Sequence, residues 1–212
     1  MTSLEGTSLE GTTSPEGTTS PKGTTSPEGA MTTPRLGRYE IDSRASTVTF
    51  TTRHLFGLGR VRGTLAIRTG TVDVAEPIGE SSARVEIETA GFDTGNEQRD
   101  ANVRSARFLD AAGHPVMTFA ADRLDGTVLV GTLTVAGAAR PVRLTIEHWA
   151  ASPRGFGARA TTRVDRAEFG VTALPGLAAR YLDVCVEVTC VRESEATYVR
   201  DSEVACVPEE GR

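Results

Sequence analysis

The sequence predicts an all-β fold: an antiparallel sheet of eight strands, closed into a barrel, with a short helical insertion. Three observations lead to this prediction. Segments that alternate apolar and polar residues recur along the middle of the 212-residue chain, and this period is typical of strands with one buried face. Turns such as "LDGT" and "SPRG" separate these segments. One polar stretch, residues 94–119, interrupts the alternation.

The alternating segments account for eight or nine strands, and closing such a sheet removes its exposed edges. In chain order the segments are "RYEI", "STVTFTTRH", "RVRGTLAIR", "SARVEIET", "PVMTFAADR", "GTVLVGTLTV", "RPVRLTIEHW", "GFGARATTRV" and "YLDVCVEVTCV". Because successive side chains point to opposite faces of a strand, parity predicts which of them face inward. The positions predicted inward are Val48, Phe50, His54, Val85, Ile87, Phe119, Leu144, Ile146, His148, Val184 and Val186.

The polar stretch predicts a helix of two or three turns. Thr94 and Glu97 have the spacing of a capping box, and "QRDANVRSARF" contains strong helix formers without a β-branched run. We expect Val103, Phe108 and Leu109 to face the barrel, with the charged residues on the polar side of the helix. The helix would then cap or flank the barrel mouth.

Composition divides the chain into three parts. Residues 1–37 are predicted to be a disordered tail, because the degenerate repeat of Thr, Ser, Pro, Glu and Gly has no apolar face to bury. Residues 38–192 form the predicted barrel, and residues 193–212 form an acidic tail. Met31 is a candidate alternative start.

Four motifs occur in a fixed order: "YEIDSRASTVTFTTRHL", "TGNEQRDANVRSARFLDAAGHPVMTF", "GTLTVAGAARPVRLTIE" and "VDRAEFGV". In these motifs the chain resembles the YceI family of lipid- or polyisoprenoid-binding proteins, over roughly residues 38–192. The resemblance implies an elongated, lipocalin-like barrel. It also implies an apolar tunnel that holds a long isoprenoid or a similar lipid chain.

Two interpretations of the inward residues stay open: a tunnel wall for an acyl or prenyl tail, or a packed core. Three polar residues are candidates for headgroup contacts, with a purely structural role as the alternative for each. His54 and His148 can donate to a phosphate or hydroxyl, and Arg99 can neutralise a diphosphate. The predicted ligand-binding set is therefore Val48, Phe50, His54, Val85, Ile87, Arg99, Phe119, Leu144, Ile146, His148, Val184 and Val186.

Other site classes lack a pattern in this sequence. The three His residues are too scattered to predict a metal site, and no cofactor or catalytic residue is predicted, because nucleotide-binding and nucleophile-elbow motifs are missing. No basic cluster interleaved with aromatics predicts nucleic-acid binding, and no apolar run is long enough for a transmembrane helix. Cys185 and Cys190 fall on opposite faces of one strand, so we expect free thiols.

The leading functional hypothesis is binding, transport or storage of a long-chain isoprenoid or related lipid inside the barrel. The alternative is a structural or protein-interaction β-module with a filled core, and an isoprenoid-modifying enzyme comes third. Because the N-terminus lacks a recognisable secretory signal, we expect a cytoplasmic location, although the resemblance implies that many relatives are exported. Homodimerisation is left open.

Overall fold

The computed structural model describes residues 33–54 and 59–193, without the side chain of His54. These ranges contain nine strands, one α-helix and two short 3-10 helices. The α-helix is α1 (Glu97–Arg104), and the 3-10 helices span Ile78–Glu80 and Arg166–Phe169. The strands are β1 (Gly37–Ile41), β2 (Thr47–His54), β3 (Gly59–Val74), β4 (Ser82–Asp93), β5 (Val116–Asp125), β6 (Val128–Val135), β7 (Ala138–Ser152), β8 (Gly155–Asp165) and β9 (Tyr181–Arg192).

All the strand pairings among these residues are antiparallel, and they close on themselves. The order runs β2-β9-β8-β7-β6-β5-β4-β3 and returns to β2. β1 and β2 occupy successive stretches of one place in the wall, because each pairs with both β3 and β9. Nine strands therefore form an eight-stranded barrel, and the predicted fold class is confirmed.

β3 is longer than the sequence predicted, since it continues beyond Arg68 to Val74. The segment "TGTVDV" contains Gly70, and a glycine at this place in the sequence suggests a turn. In the structure a Cβ at Gly70 would lie 2.7 Å from Cδ1 of Ile41. The glycine thus allows β1 to pack closely against β3, and it does not end the strand.

The predicted helix is confirmed as α1, but the predicted cap is wrong. Asn96 is the N-cap, and its Oδ1 accepts a hydrogen bond of 2.9 Å from the amide of Arg99. Thr94 lies two residues earlier, before the positive φ of 73° at Gly95. Its hydroxyl instead donates to Asp100, so this side chain anchors the helix to the end of β4.

The two ends of the barrel differ. The end called the floor carries β1 and the core around Tyr39, whose ring packs edge-to-face on Phe156 with a centroid separation of 5.0 Å. The end called the mouth carries α1, the 3-10 helix Arg166–Phe169 and residues 170–180. Within the described ranges, none of the helices has the length and apolar character needed to cross a membrane. The predicted tails and Met31 fall mainly outside these ranges and stay predictions.

Candidate functional site

A cavity of about 510 Å³ lies inside the barrel. Inward-facing side chains from all eight wall strands line it, and almost all of them are apolar. The inward positions of nine predicted residues are confirmed, whereas their contact with a ligand stays a prediction. These nine residues are Val48, Phe50, Val85, Ile87, Phe119, Leu144, Ile146, Val184 and Val186.

The cavity remains open because the wall is lined with small residues on β8. Ala158 and Ala160 face inward on this strand and pair with Val188 and Val186 of β9. Protein cores are normally packed without voids of this size, and alanine side chains at these two positions fill little of the interior. The filled core that the alternative hypothesis requires is therefore not what the structure shows.

The floor of the cavity is closed by packed aromatic and aliphatic side chains. Ile41 and Phe156 line the cavity at this end and belong to the buried core. Behind them, the hydroxyl of Tyr39 donates a hydrogen bond of 2.7 Å to the carbonyl of Arg35. An apolar chain that enters the barrel would therefore stop at the floor.

The mouth of the cavity is framed by a second apolar cluster, centred on Phe108, Phe169 and Val171. Leu174 packs against this cluster, and Leu177 lines the cavity while 46% exposed. The inward position of Phe108 was predicted from the sequence. The other four positions were not predicted, because these residues lie in a 3-10 helix and in a segment without strand or helix periodicity.

Arg166 organises the segment that crosses the mouth. Its guanidinium donates to the backbone carbonyls of Val171, Ala178 and Ala179 at 2.6, 3.0 and 2.7 Å. Burial lowers the pKa of Arg166, and the charge of Asp165 opposes this effect. The guanidinium remains charged, because an arginine titrates far above neutral pH. The Arg166 side chain thus holds residues 171–179 against the 3-10 helix that follows β8.

A second polar cluster joins α1 to β4. The Asp100 side chain is only 3% exposed, and it accepts hydrogen bonds from the hydroxyl and the amide of Thr94. Burial raises the pKa of Asp100, but the hydrogen bonds, led by those from Thr94, outweigh burial, so the pKa is lowered. Arg99 lines the cavity, and its Nε donates 2.7 Å to the Thr94 hydroxyl.

The two candidate histidines differ in what the structure reveals. His148 is exposed and lies outside the cavity lining, so its predicted inward position is wrong. A register shift in the β7–β8 pairing between Ile146 and His148 reverses the parity at this point. The backbone of His54 ends β2, but its side chain lies outside the described part of the structure, so its role stays a prediction.

The outer face of the barrel carries a broad groove of about 950 Å³. Four charged side chains of its lining pair with each other, Arg159 with Glu187 and Arg163 with Asp183, and Arg159 also pairs with Glu147. These pairs are exposed and of little energetic value individually. In the described part of the chain, no cluster of three or more His, Cys, Asp or Glu residues is placed to hold a metal ion.

Comparison with known proteins gives a consistent match. A family model described as a YceI-like domain matches residues 39–191. A UPF0312 protein of Enterobacter sp. (strain 638) is 31% identical over 170 residues, which cover 73% of this chain and 86% of the relative. A UPF0312 protein of Vibrio cholerae (El Tor Inaba N16961) is 29% identical over 171 residues, covering 73% and 87%.

Two solved structures share the fold at low sequence identity. BcnA of Burkholderia cenocepacia superposes with a TM-score of 0.59 at 19% identity, covering 70% of this chain and 98% of BcnA. A polyisoprenoid-binding domain from Saccharophagus degradans, implicated in plant cell wall breakdown, gives a TM-score of 0.59 at 14% identity, covering 75% and 100%.

Proposed function

The chain belongs to the YceI-like family, and on this premise we propose that its barrel binds a long-chain isoprenoid or related lipid for transport or storage. The observation that carries the proposal is the apolar cavity of about 510 Å³ inside the barrel. A concave, mostly apolar cavity of this size with a few polar groups at one end is typical of small-molecule sites. The polyisoprenoid-binding domain that shares the fold supports the same ligand class.

The cavity volume sets the length of chain that the barrel encloses. At about 30 Å³ for each group of water or methylene size, 510 Å³ holds roughly 17 groups, or about three isoprene units. A longer chain would extend through the mouth, because the packed floor blocks the other end.

Desolvation of the chain supplies the binding energy in this proposal. Burial of one isoprene unit contributes on the order of 2–3 kcal/mol, at about 25 cal/mol per Å² of apolar surface. Three enclosed units therefore contribute roughly 6–9 kcal/mol, and the cost of immobilising the ligand, which begins at about 4 kcal/mol, is subtracted from this gain.

The proposal assigns the barrel binding and no catalytic step. Among the described residues, the cavity lining holds no Cys, His, Asp or Glu, which are the usual side chains for nucleophilic and general acid–base chemistry. The cytoplasmic location predicted from the sequence remains a proposal, and homodimerisation stays open.

Native mass spectrometry of the purified chain tests the proposal. We expect a bound apolar molecule after gentle purification, and we expect the delipidated protein to take up farnesol, which has three isoprene units. Protein that is recovered without lipid and does not bind farnesol or a fluorescent alkyl probe would overturn the proposal.

A further inference from the structure

The polar groups at the mouth of the cavity are unbalanced in charge. Arg53, Arg99 and Arg166 line the cavity, and Arg53, Arg166 and Arg180 line an adjoining hollow of about 570 Å³. Neither lining contains a carboxylate among the described residues. The other polar residues in the cavity lining are neutral: Thr52, Thr94, Asn102 and Thr162.

Three of these four arginines are already engaged. Arg166 holds three backbone carbonyls, and Arg99 donates to the hydroxyl and the carbonyl of Thr94. Arg180 donates 2.8 Å to the carboxylate of Asp165. Asp165 and Arg180 therefore neutralise each other, whereas the carboxylate of Asp100 keeps its charge, accepts hydrogen bonds from Thr94 and lies outside both linings.

Arg53 differs from the other three. It lies near the end of β2, it is exposed, and it borders both the cavity and the adjoining hollow. Within the described residues it makes no side-chain hydrogen bond and no ion pair. Its planar guanidinium, which matches the two oxygens of a carboxylate or phosphate, therefore has no partner among the described residues at the point where an amphiphile's headgroup would emerge.

From this arrangement we infer that the preferred ligand is an anionic amphiphile, whose carboxylate or phosphate headgroup pairs with Arg53 while its apolar tail fills the barrel. The inference rests on the proposed function and adds the headgroup class to it. The surplus positive charge of Arg53 and Arg166 attracts an anion and repels an amine, and a neutral alcohol or amide gains nothing from it. The low polarity of the adjacent lining strengthens the charge interaction relative to water.

Two matched pairs of ligands test the inference by titration calorimetry on the full chain: farnesyl phosphate against farnesol, and palmitate against palmitamide. The tails match within each pair, so the difference reports the headgroup. We expect each anion to bind roughly tenfold tighter than its neutral partner, in line with a charge-assisted hydrogen bond. Agreement between both pairs indicates a general anion preference, whereas a preference in one pair identifies phosphate or carboxylate as the source.

Two substitutions test whether the anion preference arises at the mouth: Arg53→Gln changes the mouth, and Arg62→Gln is the control elsewhere on the surface. Arg62 is an exposed arginine on the outer groove of β3, away from the mouth. We expect Arg53→Gln to remove most of the difference in affinity between the anionic and the neutral member of each pair, and Arg62→Gln to behave as the parent. Raising the salt from about 0.05 to about 0.5 M should weaken only the anions.

The failures of the two proposals are distinguishable. Equal binding of the anionic and neutral partners, or an anion preference that survives Arg53→Gln, would overturn the headgroup inference and leave lipid binding intact. Failure of all four ligands to bind would overturn the proposed function itself. Inorganic phosphate alone is the control for the tail, and we expect no binding of it in the concentration range where farnesyl phosphate saturates.

Discussion

Ala160→Phe is the substitution that best separates a hollow barrel from a filled one. Ala160 faces the cavity from the middle of β8, between Ile146 of β7 and Val186 of β9, which also line it. The change adds six carbon atoms. At about 30 Å³ each these take roughly 180 Å³, about a third of the 510 Å³ available.

The remaining space corresponds to about 11 groups, or roughly two isoprene units. A three-unit chain then loses the burial of one unit, on the order of 2–3 kcal/mol. Since about 1.4 kcal/mol corresponds to a factor of ten in affinity, we expect the Kd of farnesol to rise roughly 30- to 150-fold. Geraniol, with two units, should be affected far less.

The stability of the variant supplies an independent readout. In a packed core the added ring would overpack the interior and cost about 1–3 kcal/mol, whereas a hollow barrel accommodates it at little cost. Calorimetric titrations with both alcohols and urea unfolding measure the two effects. Thr145→Phe, on the exposed outer groove, is the control and should leave farnesol binding unchanged. A strongly destabilised Ala160→Phe protein that binds farnesol as the parent does would refute the reasoning.

Three further predictions concern stability and thiol chemistry. Arg166→Ala removes three hydrogen bonds to backbone carbonyls, and we expect a loss of about 3–5 kcal/mol in urea unfolding; a loss no larger than that of Arg62→Gln would contradict this. Asp100→Ala leaves the Thr94 amide without its acceptor and should cost about 2–4 kcal/mol at neutral pH. The pKa of Asp100 is lowered in the fold from its ordinary 3.8, so the stabilisation that its charged form provides is fully present above pH 3.8 and is lost as the pH falls through the lowered pKa. The free energies of unfolding of the parent and of Asp100→Asn should therefore converge in acid. A difference that stays constant with pH would contradict this. Burial raises the pKa of Cys190 to about 12. In a Cys206→Ser background we therefore expect only Cys185 to react with a thiol reagent at neutral pH until the protein unfolds. Reaction of two thiols in the native state would contradict this.

Alternation in the sequence was sufficient to predict the barrel and most of its inner wall. Val85 and Ile87 lie in a stretch of β4, residues 83–88, whose pairing with β5 has no register shift, so parity alone places them correctly. The same reasoning failed at His148, because a bulge adds a residue to one strand and leaves no mark in the composition.

The mouth was harder to predict for a different physical reason. Its residues are brought together by contacts between distant segments, as when Arg166 holds the carbonyls of residues 171–179. The burial of Asp100 likewise depends on Thr94 folding back over it, which the spacing of a capping box does not reveal.

The claim that the barrel interior holds an apolar chain can be tested by a crystal structure with a bromine-terminated dodecanoate. The anomalous signal of bromine locates the end of the tail without ambiguity. We expect one bromine peak inside the barrel, with the carboxylate beside Arg53 at the mouth. Bromine found only on the outer surface, or an interior occupied throughout by protein side chains, would contradict it.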